Sequence, residues 1–129
     1  MIISGVVSGA AGAGLIVDER NVGGLNRTLT LSGANTYTGP TTVTGGTLKA
    51  GVASVANVSG AFGKNSAVTL NNTAGVILDI TGFATQIGSL TGGGASGGNV
   101  TLGAATLTVG GDNTSPAAYA GVISGGGEA

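Results

Sequence analysis

Cysteine, histidine and tryptophan are absent from this chain, and charge is nearly so. Without cysteine there is no disulfide and no thiolate nucleophile. Without cysteine or histidine there is no zinc site built on those ligands and no Ser-His or Cys-His pair. The charged residues are Asp18, Glu19, Arg20, Arg27, Lys49, Lys64, Asp79, Asp112 and Glu128. The four basic ones, spread from 20 to 64, cannot neutralise a run of phosphates, which excludes nucleic acid as a partner. The aromatics are Tyr37, Phe62, Phe83 and Tyr119, too few to line a stacking groove for sugars or bases. No residue stands out as catalytic, cofactor-binding or metal-ligating, and no cofactor is expected. Function has to be sought in shape.

What is present is small and β-prone. Glycine (28), alanine (18), threonine (17), serine (10) and asparagine (9) make up 82 of the 129 residues. Each glycine costs about 1 kcal/mol in a helix interior, so long helices are excluded. The one helix-like stretch, Ala- and Val-rich residues 51–62, offers a single turn at most. Strand signals are many and short. Thr28-Leu29-Thr30-Leu31-Ser32, Thr41-Thr42-Val43-Thr44, Thr47-Leu48-Lys49, Ala67-Val68-Thr69-Leu70-Asn71, Asn99-Val100-Thr101-Leu102 and Thr106-Leu107-Thr108-Val109 alternate with period two. Val76-Ile77-Leu78-Asp79-Ile80 is more continuously apolar and reads as a strand buried on both faces. Gln86 to Leu90 and Ala120 to Ser124 complete the set, with Gly- and Asn-rich turns between.

An antiparallel sandwich would show Asn-Gly or Asp-Gly hairpins and a dense aromatic core. Neither is here. A solenoid stacks like on like, so small apolar residues suffice inside, and its surface can be Thr and Ser instead of charge. Thr-Leu-Thr recurs at 28–30 and 106–108, Val-Thr-Leu at 68–70 and 100–102. The expected fold is all-β: one parallel β-helix of roughly three to six coils of unequal length. Its interior is expected to hold Leu29, Leu31, Val43, Leu48, Val68, Leu70, Ile77, Leu90, Val100, Leu102, Leu107 and Val122.

Residues 1–17 are uncharged and could pass for a leader or a membrane span. They have no basic start and are interrupted by Gly5, Gly9, Gly12 and Gly14. Gly5-Val6-Val7-Ser8-Gly9 also returns as Gly121-Val122-Ile123-Ser124-Gly125, where no leader can be. We read both copies as parts of the fold, at the same position in successive long repeats, and read no signal peptide in this chain. It is either cytosolic or a piece of something larger.

Residues 29–51, Leu-Thr-Leu-Ser-Gly-Ala-Asn-Thr-Tyr-Thr-Gly-Pro-Thr-Thr-Val-Thr-Gly-Gly-Thr-Leu-Lys-Ala-Gly, resemble the autotransporter-associated β-strand repeat of type V secreted passenger domains. Ile87 to Gly92, Val100 to Gly111 and Tyr119 to Gly127 resemble the same passengers more loosely. The resemblance implies a right-handed parallel β-helix, exported through the Gram-negative outer membrane by a translocator not present in this chain. It implies a place at the cell surface or outside the cell. It also implies a role in passenger folding and transport, without catalysis. Two departures stand out. Pro40 replaces a usual glycine and, lacking an N–H, belongs in the turn and not in the ladder. Asp18-Glu19-Arg20-Asn21-Val22 replaces the usual Gly/Thr approach to the repeat, which leaves the local structure of 15–27 open.

The remaining motifs read as structure. Sequons at Asn26, Asn57, Asn71, Asn99 and Asn113 follow from composition. Gly110-Gly111-Asp112-Asn113 lacks the tandem repetition of a calcium β-roll, and Gly12-Ala13-Gly14 lacks the rest of a dinucleotide fingerprint. Asp79 has no second carboxylate near it in sequence and reads as a turn-edge or solvent-facing residue. Asn35, Asn71, Asn72 and Asn113 are candidates for stacked amide ladders.

The leading function is a non-catalytic structural segment of an exported passenger, supporting secretion, folding and surface display or adhesion. Residues 1–129 form one solenoid segment in this reading, a module of a longer or polymeric passenger. Uncapped ends would let copies associate head to tail into a filament. Two alternatives need other patterns. An ice-binding solenoid needs Thr-x-Thr at one position in every coil, against starts at 28, 36, 42 and 106. A carbohydrate-active β-helix needs clustered carboxylates.

Overall fold

A computed structural model describes residues 1–20, 23 and 25–129. Among these there are twelve short strands and no helix. In chain order they are β1 (Ile2–Ile3), β2 (Leu15–Asp18), β3 (Thr28–Leu31), β4 (Thr41–Gly45), β5 (Thr47–Ala50) and β6 (Val68–Leu70). They continue as β7 (Ile77–Asp79), β8 (Thr85–Gln86), β9 (Leu90–Gly92), β10 (Asn99–Gly103), β11 (Leu107–Thr108) and β12 (Ile123–Gly125). The sheets run β1-β3-β5-β7-β10-β12, β2-β4-β6-β9 and β8-β11, and every strand pair is parallel. Consecutive strands lie in different sheets, so the chain winds as a parallel β-solenoid of about five turns. The coils are unequal, as the spacing implied. Thr30 stacks on Lys49, but Lys49 next stacks on the more distant Asp79.

Alternation within a strand decides which residues are buried, and register decides what they meet. In the first sheet Leu29, Leu48, Leu78 and Val100 form one interior column. In the second, Val17, Val43 and Leu70 form another, ending at Gly92. Leu48 and Leu78 have no exposed surface, and burying a side chain of that size contributes about 1.5–3 kcal/mol. The coils are linked by tight corners. Gly46 alone separates β4 from β5, with φ +74°, a left-handed conformation that L side chains rarely adopt. A Cβ at Gly39 would overlap the backbone of Gly12 and Ala13, so this turn needs glycine to let two coils touch. Pro40 falls just before β4, and its carbonyl accepts from Leu15 N at 2.8 Å; it takes no part as a donor.

Several expectations need correction. Ile77 is half-buried, not interior: it lies in the outward column of Thr28, Thr47 and Asn99, and its neighbour Leu78 takes the inside place. The run 76–80 is therefore an alternating strand with one outward face. Val122 is 60% exposed, because it precedes β12 at the open end of the first sheet. The other ten residues expected inside are buried. Residues 51–62 form no helix, only one hydrogen-bonded turn in which Val58 N and Ser59 N donate to the Val55 carbonyl, within the single turn expected at most; the loop is pinned by antiparallel bridges Asn35–Gly60 and Val55–Ser59. The two Gly-Val-Val/Ile-Ser-Gly copies are not equivalent. Gly5 stacks on Gly33, after β3, whereas Gly121 stacks on Gly98, just before β10. Of the departure at 18–22, Asn21 and Val22 lie outside the described residues. Asp18 ends β2 at a register shift against β4.

The reassignment of residue 77 is testable by urea denaturation. Leu78→Ala should cost about 2–5 kcal/mol, while Ile77→Thr should change stability by less than about 1 kcal/mol. Equal losses would contradict the register.

Candidate functional site

The chemistry of this chain is concentrated not on a surface but in a buried corner between β3 and β4. Thr41 occupies an interior column whose other members are Leu15, Val68 and Leu90. A hydroxyl there costs stability unless it is fully bonded. Its partners are Tyr37 and Ser66: Tyr37 Oη lies 2.8 Å from Thr41 Oγ1, which lies 2.8 Å from Ser66 Oγ. Ser66 Oγ donates to the Gly39 carbonyl at 2.7 Å. Each hydroxyl has one proton, so the direction is settled. Ser66 gives its proton to Gly39, Thr41 therefore donates to Ser66, and Tyr37 donates to Thr41. Tyr37, Thr41 and Ser66 are all buried.

Asn35, with no exposed surface, stands beside this relay. Its Oδ1 accepts from Val7 N at 2.7 Å, and its Nδ2 donates to the Ala61 carbonyl at 2.6 Å. Its backbone pairs with Gly60 in both directions. One side chain thus joins the coils above and below its own. Asn35, Asn71, Asn72 and Asn113 do not build the expected ladder. Asn72 Oδ1 instead accepts from the amides of Ser96 and Gly97, and Asn113 sits at φ 54° in a turn. Among the described residues no buried side-chain nitrogen or oxygen lacks a partner.

Burial pushes the Tyr37 hydroxyl up from its ordinary 10.0 to about 12, opposed in part by its bond to Thr41. On the outer face of the first sheet, Lys49 and Asp79 stack in register and pair at 3.6 Å. Partial burial pushes the Asp79 carboxyl up, but hydrogen bonds from Thr81 and attraction to Lys49 together outweigh it and hold it below the ordinary value. Asp79 is thus an outward-facing partner of a cation. At the edge of the second sheet, Asp18 and Arg20 form an exposed pair, and Arg20's hydrogen bond holds Asp18 down to about 2. No group of three Asp or Glu residues gathers among the described residues.

The outer faces are hydroxyl-rich. Thr42, Thr69 and Thr91 form a column, with Thr69 and Thr91 joined at 3.0 Å. The Thr-x-Thr pairs do not stack on one another: 28/30 lies in the first sheet, 42/44 in the second and 106/108 at β11, while 36/38 lies in a connection. An open groove of about 220 Å³ crosses β8 and β11 beside Ser54 and Ala56. It offers hydroxyls of Thr106 and Thr108 and the Gln86 amide, the latter already bonded to Asn57. That lining includes no charged group and no aromatic plane.

The passenger-associated-transport-repeat family matches residues 27–50, which span β3, the buried corner, β4 and β5. This chain carries an autotransporter passenger repeat. It is also 51% identical, over 98 residues, to the adhesin BmaC autotransporter of Brucella suis biovar 1 (strain 1330). That alignment covers 76% of this chain and 3% of the relative's length. No solved structure matches the passenger segment significantly. The motif read at 29–51 coincides with the match, and Asn35, Tyr37 and Thr41 in it are the residues of the polar corner. Residue pattern alone placed Asn35 and Thr41 among turn and strand residues. Their burial depends on Ala61 and Ser66, which arrive from the next coil.

The raised Tyr37 value has a defined consequence. Its contribution to stability is complete below pH 10 and is lost as pH rises towards about 12, on the order of 2–3 kcal/mol in all. Urea midpoints measured from pH 8 to pH 12 should fall only above 10, and Tyr37→Phe should remove most of that fall. An unchanged fall in Tyr37→Phe would contradict the burial of that hydroxyl.

Proposed function

We propose that this segment is a non-catalytic structural module of an exported passenger, a length of stalk that supports folding and transport and presents its outer faces for adhesion. The observation that carries this reading is the coincidence of the transport repeat with the residues that staple successive coils. The matched relative is described as an adhesin and as an autotransporter. The outer faces here, rich in threonine and without a cluster of three carboxylates among the described residues, suit display more than turnover. The location is the cell surface or the exterior, reached across a Gram-negative outer membrane through a translocator supplied outside these residues. A charge-poor, cysteine-free chain threads a pore unfolded without disulfides to break.

The same reading extends to assembly. β1 and β12 are the outermost strands of the first sheet, and Ile2, Ile16 and Val122 are exposed near the two ends. Such edges are templates for a further parallel coil. We take that coil to be the next one in a longer polypeptide or a second copy added head to tail. Support comes from the edges alone, since the inequivalent Gly-Val-Val/Ile-Ser-Gly copies contribute none.

The experiment is secretion of these residues as part of a passenger fused to a translocator in a Gram-negative host. Surface proteolysis should find the wild-type segment outside and folded. Leu48→Asp, which puts a charge into the column, should cut surface display severalfold. Retention of the wild-type segment inside the cell, or equal display of the variant, would contradict the reading. Light scattering of the isolated chain tests assembly: growth into open filaments supports the head-to-tail contact, and a monomer at high concentration refutes it.

A further inference from the structure

Stacked coils in a solenoid ordinarily add one at a time, each stabilised by its neighbour. The buried corner breaks that rule. Coil 2, from β3 through β4, brings Asn35, Tyr37 and Thr41 into the interior. It does not bring all their partners: Tyr37 finds Thr41 within the coil, and Asn35 Oδ1 takes Val7 N from the coil before, but the remaining partners come from the coil after. The acceptor for Asn35 Nδ2 is Ala61, and the acceptor for Thr41 is Ser66, both in the coil from β5 through β6. The dependence is mutual. Ser66 can be buried only because the Gly39 carbonyl of coil 2 takes its proton. Backbone bonds repeat the pattern: Asn35 with Gly60, Lys64 N to Tyr37 O at 2.8 Å, Thr41 N to Ala67 O at 2.9 Å. A buried polar group without its partner loses a factor of roughly ten to a hundred in stability, whereas a coil held by apolar contacts loses gradually. Either coil alone would bury several such groups unpaired.

We infer that the transport repeat supplies one half of a two-coil latch: coils 2 and 3, the latter from β5 through β6, fold and open as one cooperative unit, closed by Asn35 and the Tyr37–Thr41–Ser66 relay, while the coils from β10 onward open separately. The distal coils have no equivalent of this latch. Their contacts are apolar columns, backbone bonds such as Val100 N to Val122 O at 2.8 Å and Leu107 N to Glu128 O at 2.7 Å, and side-chain bonds to the backbone, Tyr119 Oη to the Gly98 carbonyl and Val122 N to Asn99 Oδ1, which are part-buried or exposed and form no buried side-chain relay. In an exported chain the latch would commit only when both coils had emerged. That consequence rests on the passenger reading; the latch itself does not, and it is tested on the purified chain without any export step.

The test is native-state hydrogen exchange of the 129-residue protein, read residue by residue under conditions where exchange reports the opening equilibrium. In the wild type, the amides of Asn35, Thr41, Gly60 and Lys64 should share one opening constant. Ser66→Ala should speed exchange at all four by the same factor, roughly tenfold to a hundredfold. Val100 and Leu107 should stay within about twofold. Leu102→Ala, which empties a buried position in β10, should do the reverse. Should Ser66→Ala fail to fold, Tyr37→Phe removes only the first donor and should give the same pattern at a few-fold. Unequal factors for Thr41 and Gly60 would show that the coils open independently. Equal acceleration at Val100 and Leu107 would show one global unit. Either result overturns the latch.

Discussion

Parallel, in-register hydrogen bonding between coils is the constraint from which the rest follows. A coil leaves a row of backbone donors and acceptors on each edge, and only another coil with the same path can satisfy them. Once the path repeats, side chains at one position stack on side chains at the same position. Leu29, Leu48, Leu78 and Val100 become a column without any one of them being large. Connections are free to vary in length outside that rule. That is why Thr30 to Lys49 is a short excursion, and Lys49 to Asp79 a long one that carries the 51–63 loop. Glycine is abundant where backbones must meet without a side chain between them, as at Gly39 against Gly12.

The polar corner is the exception to an apolar interior, and it does a different job. An apolar column holds coils together but tolerates many neighbours. The Asn35 amide and the hydroxyl relay accept only partners at fixed distance and direction, so they specify which coil sits against which. This places specificity in the polar corner, most of which lies within the transport repeat, and general adhesion between coils in the apolar columns. The outer faces of the sheets carry hydroxyls and, among the described residues, two ion pairs, Asp18–Arg20 and Lys49–Asp79. The Lys49–Asp79 pair, partly exposed, contributes no more than about 1 kcal/mol.

The solenoid was legible because period-two alternation survives in strands as short as Thr28 to Leu31, and because hairpin signals and aromatics are missing. What stayed hidden was hidden for physical reasons. β1 and β2 are short, flank a glycine-rich connection and carry Ile2 and Ile16 outward, so they lack the polar alternation of the later strands. Ile77 breaks the alternation in the other direction: an apolar residue on the outer face makes its strand look buried on both sides. Residues 51–62 have helical composition but are held open by long-range pairing to Asn35, which no local pattern reports. Asn35 reads from sequence only as a candidate for an amide ladder. Its interior role depends on Val7 and Ala61, each more than twenty residues away.

The natural lack of cysteine makes the stacking directly measurable. Neighbouring parallel strands lie about 4.8 Å apart, within the roughly 4.4–6.8 Å that a disulfide spans between Cα atoms; strands two apart lie about 9.6 Å from each other. Paired substitutions on the outer column of the second sheet read this distance: Thr42→Cys with Thr69→Cys, Thr69→Cys with Thr91→Cys, and Thr42→Cys with Thr91→Cys. Under mild oxidation the account predicts intramolecular disulfides in the first two and none in the third. Cross-linking of Thr42 to Thr91 as readily as to Thr69, or no cross-linking between adjacent coils, would contradict it.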